Sequence, residues 1–145
     1  MRRLTLLLSF VLLCVTRIAF AWELPLDNWN PSGNGLWSCN YKCNHLGFDL
    51  EASPDDPVHA IGDGHVVLVA FIPDFGTVIL IEHNGVDGPF VSLYGHLGPN
   101  TNNPATDHIF VSQSPGENSV TEGQLIGLIG ETEENGGYGP HLHHG

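Results

Sequence analysis

The sequence predicts an all-β protein with a single domain built on a mostly antiparallel sheet. Short apolar runs recur along the chain, and no stretch beyond residue 21 keeps an apolar helical period over ten residues. The 18 glycines and 10 prolines are scattered between these runs, where they mark turns. The predicted strands are HVVLVAFI (65–72), GTVILIEH (76–83), FVSLYGHL (90–97), HIFVS (108–112) and QLIGLIG (124–130).

Turn residues separate these strands. The first strand follows DG at 63–64, and PDF at 73–75 separates it from the second. The loop before the third strand holds NG at 84–85 and DG at 87–88, which predicts an antiparallel hairpin. The stretch 98–122 is long and polar, so it is expected to be either a functional rim or an insertion.

The first residues are expected to be a secretory signal peptide, 1–21. Arg2 and Arg3 precede a mostly apolar run, and AFA at 19–21 has the small-x-small form of a signal-peptidase site. The run is shorter than the roughly 20 apolar residues needed to span a bilayer. The alternative is a retained N-terminal anchor. With a signal peptide, the protein would be secreted or periplasmic.

The charge of the chain excludes several classes of partner. It has 16 acidic residues and only 4 Lys and Arg, which gives a formal net charge of −12 at pH 7. Three of the four basic residues lie within 1–21, so Lys42 alone would oppose the acidic residues after cleavage. Such a surface repels nucleic acid and anionic membranes. We expect a monomer that binds neither.

Cys39 and Cys43 would remain after signal removal. An even pair in a secreted chain is typical of a disulfide, here closing a short loop. The alternative is a pair of zinc thiolates, although the sequence offers no second pair of cysteines. The surrounding segment, 22–44, is predicted to be an irregular lead-in to the domain.

Three of the nine histidines stand in the last five residues, at His141, His143 and His144. Alternate side chains of a strand share a face, so His141 and His143 would point the same way, about 7 Å apart at the backbone. They could both bind one metal ion, or they could form an exposed pair at a sheet edge. His144 would point to the other face, outside such a site.

A second candidate cluster is HLGFD, in which His45 and Asp49 stand four positions apart. Fully extended, that separation is about 13 Å, too long for both to contact one zinc ion. Gly47 supplies the freedom for a bend that brings them together. With a further histidine, these ligands would leave zinc one open position, as in catalytic sites. Otherwise they are a loop histidine and a turn carboxylate.

The other histidines are weaker candidates. His96, in SLYGHL at the end of a predicted strand, is either a hydrogen-bonded core residue or, beside a zinc ion, an acid or base. Surface or packing roles are expected for His59, His65, His83 and His108. Trp22, Trp29 and Trp37 are expected either to cover the hydrophobic core or to form a platform for substrate.

The motifs HLGFD, HAIGDGHVV, SLYGHL, EGQLIGLIG and GGYGPHLHHG occur in this order over roughly residues 45–145. In this ordered set the chain resembles the lysostaphin/LytM-type zinc metallopeptidases of bacterial cell walls. The resemblance implies their fold, a mostly antiparallel β-sheet groove of the duplicated hybrid motif type. It also implies cleavage of peptide bonds in peptidoglycan cross-links or bridges.

The resemblance further implies one Zn²⁺ ion bound by His45, Asp49 and His143. It places His141 and His96 as the flanking pair that handles protons and stabilises the oxyanion. We expect His141 to be the general base and His96 to steady the tetrahedral intermediate, the reverse assignment being open.

The chain departs from the family at His144, where an aromatic residue is usual, and in ending soon after the final motif. We therefore expect the metallopeptidase domain, 45–145, to be truncated at its C-terminus. The competing function is a non-catalytic module on the same fold that binds cell wall or activates another hydrolase. A third possibility is a structural zinc site in a non-enzymatic secreted domain.

Overall fold

The computed structural model describes residues 22–27, 45, 47–101, 103 and 105–145. None of these residues belongs to a helix that could cross a membrane. The described strands are β1 (Phe48–Glu51), β2 (Pro57–His59), β3 (Gly64–Ile72), β4 (Gly76–Gly85), β5 (Gly88–Leu97), β6 (Ser119–Val120), β7 (Leu125–Leu128) and β8 (His141–His144).

The strands form two antiparallel sheets. The larger has six strands in the order β1-β8-β5-β4-β3-β6, and the smaller pairs β2 with β7. The all-β, mostly antiparallel prediction is therefore confirmed. Strand β8 lies between β1 and β5 in the larger sheet.

The long strands β3, β4 and β5 form a meander, as their sequences predict. The pairing of Gly85 with Gly88 closes the hairpin between β4 and β5. The predicted strands 65–72, 76–83 and 90–97 lie within β3, β4 and β5, and only the ends extend further. Runs of this length are long enough for their composition to determine the structure.

The predicted strand at 108–112 is wrong. Within it only Ile109 makes a β-bridge, to Gly127. The Asp107 carboxylate accepts a hydrogen bond from the Ile109 N–H at 3.0 Å, and this local turn competes with a strand ladder. The prediction at 124–130 is also too long, since β7 covers only Leu125–Leu128.

The hydrophobic core contains side chains of both sheets, including Val58 and Ile126 of the small sheet and Ile81 of the large one. Leu50 of β1 and Leu142 of β8 are completely buried in it and are paired in register. Because neighbouring side chains alternate across a strand, the residues on either side of these leucines point to the opposite face of the sheet.

Strand β8 is held along both edges. It pairs with β1 in register, and beyond it Gly145 exchanges two backbone hydrogen bonds with Leu93 of β5, at 2.7 and 3.2 Å. The neighbours on both sides define the position of β8 and of its side chains.

The segment 22–27 packs against the large sheet. Leu26 is buried, and Trp22 lies edge-on to the rings of His83 and Phe90, at centroid distances of 5.9 and 5.1 Å. Trp22 therefore covers the buried ring of His83 and contacts the partly exposed ring of Phe90. Outside the described residues lie Cys39, Cys43, Trp29, Trp37 and the segment 1–21.

Candidate metal centre

His45, Asp49 and His143 converge on one point. The Asp49 Oδ1 atom lies 3.0 Å from His45 Nε2 and 3.0 Å from His143 Nδ1. One potential ligand atom of each residue lies within 4.8 Å of the others. The backbone produces this arrangement, because Asp49 and His143 are direct partners in the pairing of β1 with β8.

Gly47 makes the approach possible, though not by an unusual backbone conformation. It is not among the glycines with a positive φ. A Cβ atom at this position would lie 2.7 Å from His143 Nε2 and 2.7 Å from the His144 carbonyl oxygen. Gly47 is therefore needed for the space that it leaves, whereas the sequence predicted a need for flexibility.

The three side chains fit a divalent cation. Two imidazoles and a carboxylate are a common zinc donor set, and tetrahedral ligands at about 2.1 Å from zinc lie about 3.4 Å from one another. Burial raises the pKa of Asp49, but the hydrogen bond with His143 and the neighbouring histidines outweigh it and lower the pKa overall. The Nδ1 atom of His45 is buried without a hydrogen-bond partner in the described part of the chain.

His141 borders the cluster on the same face as His143. Its Nε2 atom lies 3.6 Å from Asp49 Oδ1. Its Nδ1 atom lies 2.7 Å from the carbonyl oxygen of Gly139, which can only accept a hydrogen bond. The proton is therefore on Nδ1, and in the neutral ring Nε2 carries the free lone pair.

His96 approaches from β5, with its ring centroid 4.2 Å from that of His141. Its Nδ1 atom donates to the Asn135 carbonyl oxygen at 2.7 Å, so the neutral ring again has its lone pair on Nε2. Burial lowers the pKa of His96 to about 4, partly opposed by this hydrogen bond. The backbone has a φ of 64°, uncommon outside glycine and frequent at functional sites.

The comparison with protein families matches the model of Peptidase family M23 over residues 43–145. The match covers all five residues of the site. The chain belongs to peptidase family M23. The match begins at residue 43, and the domain predicted from the sequence begins two positions later, at residue 45.

Two bacterial relatives match the M23 domain. The chain is 32% identical over 101 residues to the DD-carboxypeptidase/endopeptidase Mpg of Neisseria meningitidis, covering 69% of this chain. It is 35% identical over 99 residues to the peptidoglycan DD-endopeptidase ShyB of Vibrio cholerae, covering 68% of this chain. Each match covers 19% of the relative, so the chain spans about a fifth of the length of these proteins.

Solved structures share the fold of the M23 domain. A zinc-containing peptidase from Vibrio cholerae has a TM-score of 0.65 and 28% identity, over 86% of this chain and 36% of that one. The catalytic domain of lysostaphin from Staphylococcus simulans has a TM-score of 0.57 and 24% identity, over 81% and 78% of the two chains. The predicted lysostaphin-type fold is confirmed.

Sequence reasoning did not find three residues that surround the M23 site. Phe75 stacks on His96 with ring centroids 5.8 Å apart, and it lies edge-on to His143 at 5.5 Å. Tyr138 lies edge-on to His96 at 5.5 Å, and Asn135 is fully buried. Phe75 stood in a predicted turn. The glycine-rich segment before His141 was the only signal for the other two.

His144 lies outside the site, on the opposite face from His143, as its position in the strand predicts. Its Nδ1 atom donates to the Leu93 carbonyl oxygen at 2.9 Å, and its ring lies 5.0 Å from that of Tyr94. Burial lowers the pKa of His144 to about 4.

The remaining histidines do not reach the site. His83 is buried, donates from Nδ1 to the Asp63 carbonyl at 2.9 Å and contacts Ser92 Oγ through Nε2 at 2.7 Å. It therefore has the packing role expected from the sequence. His65 is exposed, with its Nδ1 atom 3.3 Å from Ser119 Oγ. His59 is the last residue of β2 in the small sheet, and the His108 carbonyl accepts from the Leu128 N–H of β7 at 2.9 Å.

Proposed function

We propose that this chain is a zinc-dependent endopeptidase that cleaves peptide bonds in peptidoglycan cross-links or bridges. The observation that carries the proposal is the convergence of His45 and His143 on the Asp49 carboxylate, with two further imidazoles beside it. Membership of a peptidase family, a relative named as a DD-carboxypeptidase/endopeptidase and another named as a peptidoglycan DD-endopeptidase support the same substrate. The competing non-catalytic module would not need this complete set.

His45, Asp49 and His143 would hold the zinc ion. When bound, zinc polarises a scissile carbonyl and acidifies a coordinated water. A negative carboxylate and two neutral imidazoles suit a divalent cation while leaving room for substrate. The three ligands come from β1, β8 and the segment just before β1, so the pairing of these strands assembles the site.

His141 is the proposed general base. Its proton is held on Nδ1 by the Gly139 carbonyl, so Nε2 is free to accept a proton from the attacking water. This nitrogen is 3.6 Å from Asp49 Oδ1, close enough to serve a nucleophile formed beside the ligands.

His96 is the proposed partner that stabilises charge on the substrate carbonyl. With Nδ1 donating to Asn135, its Nε2 atom can donate to an oxyanion only after gaining a proton. His96 would therefore act late, after receiving from the neighbouring His141 ring the proton that the attacking water has released. Exchange of the two roles remains the alternative, since both rings have the same tautomer.

We also propose that the domain works outside the cytoplasm, because its substrate does. Residues 1–21 would direct export and be removed, leaving a chain that starts at Trp22 and contains the metallopeptidase domain, 45–145. Mass spectrometry of the protein recovered from periplasm and medium tests this. A mature protein that retains residues 1–21 would contradict it.

The central test is digestion of purified peptidoglycan by the full chain, with products identified by mass spectrometry and zinc measured by elemental analysis. The wild type should release peptides cut in the cross-link or bridge and contain about one zinc per chain. His45→Ala should lose both. His65→Ala replaces an exposed histidine far from the site and should retain both.

Two results would contradict the proposal. A wild-type chain that contains zinc but acts only when another wall hydrolase is added would be an activator. A chain that digests peptidoglycan equally well after zinc removal would not use zinc for the reaction.

A further inference from the structure

The segment 129–140 between β7 and β8, called here the β7–β8 loop, contacts both imidazoles that flank the metal ligands. Its Asn135 carbonyl accepts from His96 Nδ1 at 2.7 Å, and its Gly139 carbonyl accepts from His141 Nδ1 at 2.7 Å. One loop thus sets the tautomer of both rings.

We propose that Asn135 is a positioning residue, which shapes the β7–β8 loop so that His96 and His141 both keep their Nε2 lone pairs available. This inference rests on the proposed function, in which these two rings handle protons. Asn135 acts on the imidazoles only through the backbone, because its side chain faces the loop.

Asn135 is hydrogen-bonded to three other residues of the loop, two through its side chain and one through its backbone. Its Nδ2 atom donates to the Gly130 carbonyl at 3.4 Å, and its Oδ1 atom accepts from the Tyr138 N–H at 3.1 Å. Its own N–H donates to the Glu131 carbonyl at 2.9 Å. The residue has no exposed surface, so these groups have no access to water as an alternative partner.

The loop is also fitted closely against the turn between β3 and β4. A Cβ at Gly76, where φ is +67°, would lie 2.7 Å from Asn135 Cα. A Cβ at Gly136, where φ is +97°, would lie 2.6 Å from the backbone of Asp74. The two glycines let the backbones approach, and this fixes the Asn135 carbonyl opposite His96.

The same turn fixes the backbone of His96. The His96 N–H donates to the Phe75 carbonyl at 2.7 Å, and the His96 carbonyl accepts from the Gly130 N–H at 3.0 Å. The ring and the backbone of His96 are thus both held by the β7–β8 loop and the β3–β4 turn. Loosening the loop would release the ring while leaving in place the metal ligands, which lie on β1, just before β1 and on β8.

Loss of the carbonyl acceptors has a defined chemical consequence. A neutral imidazole without an acceptor at Nδ1 populates both tautomers, and the ring can rotate. Displacement of a reacting group by 1 Å can reduce a rate by about 100-fold. A main-chain carbonyl cannot be removed by substitution. Substitution of the Asn135 side chain can, however, displace the Asn135 carbonyl.

The first experiment compares Asn135→Ala with Asn118→Ala in the full chain. Asn118 also donates its side-chain amide to a carbonyl, that of Val66 at 3.2 Å, but it directly precedes β6, an edge strand separated from β8 by three strands. With soluble cross-linked muropeptides as substrate, Asn135→Ala should lower kcat by about 10- to 100-fold with little change in KM. Asn118→Ala should stay within about twofold.

Two readouts separate positioning from general damage. Zinc affinity should change less than about threefold in Asn135→Ala, because the ligands lie on other elements. In ¹⁵N NMR spectra of the histidine rings, wild-type His96 and His141 should carry the proton on Nδ1. In Asn135→Ala the His96 signal should move toward the other tautomer or a mixture.

A second pair of variants tests the loop without deleting a contact. Gly137 (φ +94°) and Gly116 (φ +88°) both have left-handed backbones, and a Cβ at either would meet nothing within 4 Å. Alanine would therefore introduce similar backbone strain at both positions. Gly137→Ala should reduce kcat and alter the His96 signal, whereas Gly116→Ala should do neither.

The inference fails if Asn135→Ala or Gly137→Ala keeps wild-type kcat and the Nδ1–H tautomer. It also fails if wild-type His96 carries its proton on Nε2. Failure of the proposed function would give a different experimental result. Purified peptidoglycan would remain uncut by the wild type, while the NMR comparison would still show whether Asn135 sets the tautomer.

Discussion

Asp49 Oδ1 and His143 Nδ1 lie 3.0 Å apart although 94 positions separate the two residues in the chain. They are direct partners in the antiparallel pairing of β1 with β8, and the next pair along, Leu50 with Leu142, is buried in the core. Burial of the leucines on one face therefore aligns the polar pair on the other. Stability of the core and geometry of the site are coupled through these two strands.

Replacing Asp49 by Asn should remove zinc while leaving the fold intact. The amide keeps the shape of the carboxylate but not its charge, so zinc affinity should fall by more than about 100-fold. Isothermal titration with zinc measures the change. Asp63→Asn is the matched control, because Asp63 accepts a hydrogen bond from the Glu122 N–H at 2.9 Å, on an exposed surface. Equal affinity in both variants would contradict the role of Asp49.

Gly47→Ala should weaken zinc binding by a steric effect alone. The added methyl group would lie 2.7 Å from His143 Nε2, so the ring or the β1 lead-in must move by several tenths of an ångström. Zinc affinity should fall by about 10-fold or more, as when a partner that orients a ligand is lost. Gly47→Ser should bind zinc no better than Gly47→Ala. Unchanged affinity in the alanine variant would show that the site tolerates the crowding.

Leu142→Ala should destabilise the domain strongly. Leu142 is completely buried between His141 and the proposed ligand His143 of β8, and such truncations cost about 2–5 kcal/mol in the free energy of unfolding. Urea unfolding monitored by tryptophan fluorescence measures the loss. Leu125→Ala, at a position 39% exposed, should cost less than about 1 kcal/mol. Similar costs at both positions would be inconsistent with the observed core.

Stability should fall at high pH because of Tyr94. Burial raises the pKa of Tyr94 above the ordinary value of 10.0, with hydrogen bonds to Ser92 and Ile61 opposing the shift. The folded state thus holds the phenol proton more tightly than the unfolded state. The associated stability is present below pH 10 and is lost as the pH rises through the folded pKa.

Tyr94→Phe isolates this contribution. The Ile61 N–H donates to the Tyr94 hydroxyl at 3.0 Å, so the variant should lose about 1–3 kcal/mol at neutral pH. Above pH 10 its stability should decline less steeply than that of the wild type. Parallel declines in urea titrations at pH 8 to 11 would rule out Tyr94 as the source.

Salt should stabilise the domain. All 16 acidic residues lie among the described residues, and none of the 4 Lys and Arg does. Screening of this repulsion should raise the melting temperature by several degrees as NaCl rises from about 0.02 to 0.3 M. Differential scanning calorimetry measures it. A rise that began only above about 1 M would reflect general salting-out.

Sequence reasoning succeeded where the signal was local and long. The runs that became β3, β4 and β5 have eight residues each, enough for composition and flanking turns to identify them. Strands of two to four residues, such as β6 (Ser119–Val120), carry too few positions for a pattern. At 108–112 an apolar composition predicted a strand, but the Asp107 side chain formed a turn instead.

The sequence by itself determined which side chains could form the site and that His141 and His143 share a face. Both follow from residue type and the two-residue period of a strand, which are local properties. Only the tertiary structure decided that β8 lies between β1 and β5, and that the β7–β8 loop presents carbonyls to His96 and His141. These relations depend on strand register and on core packing between residues far apart in the chain, which no local pattern encodes.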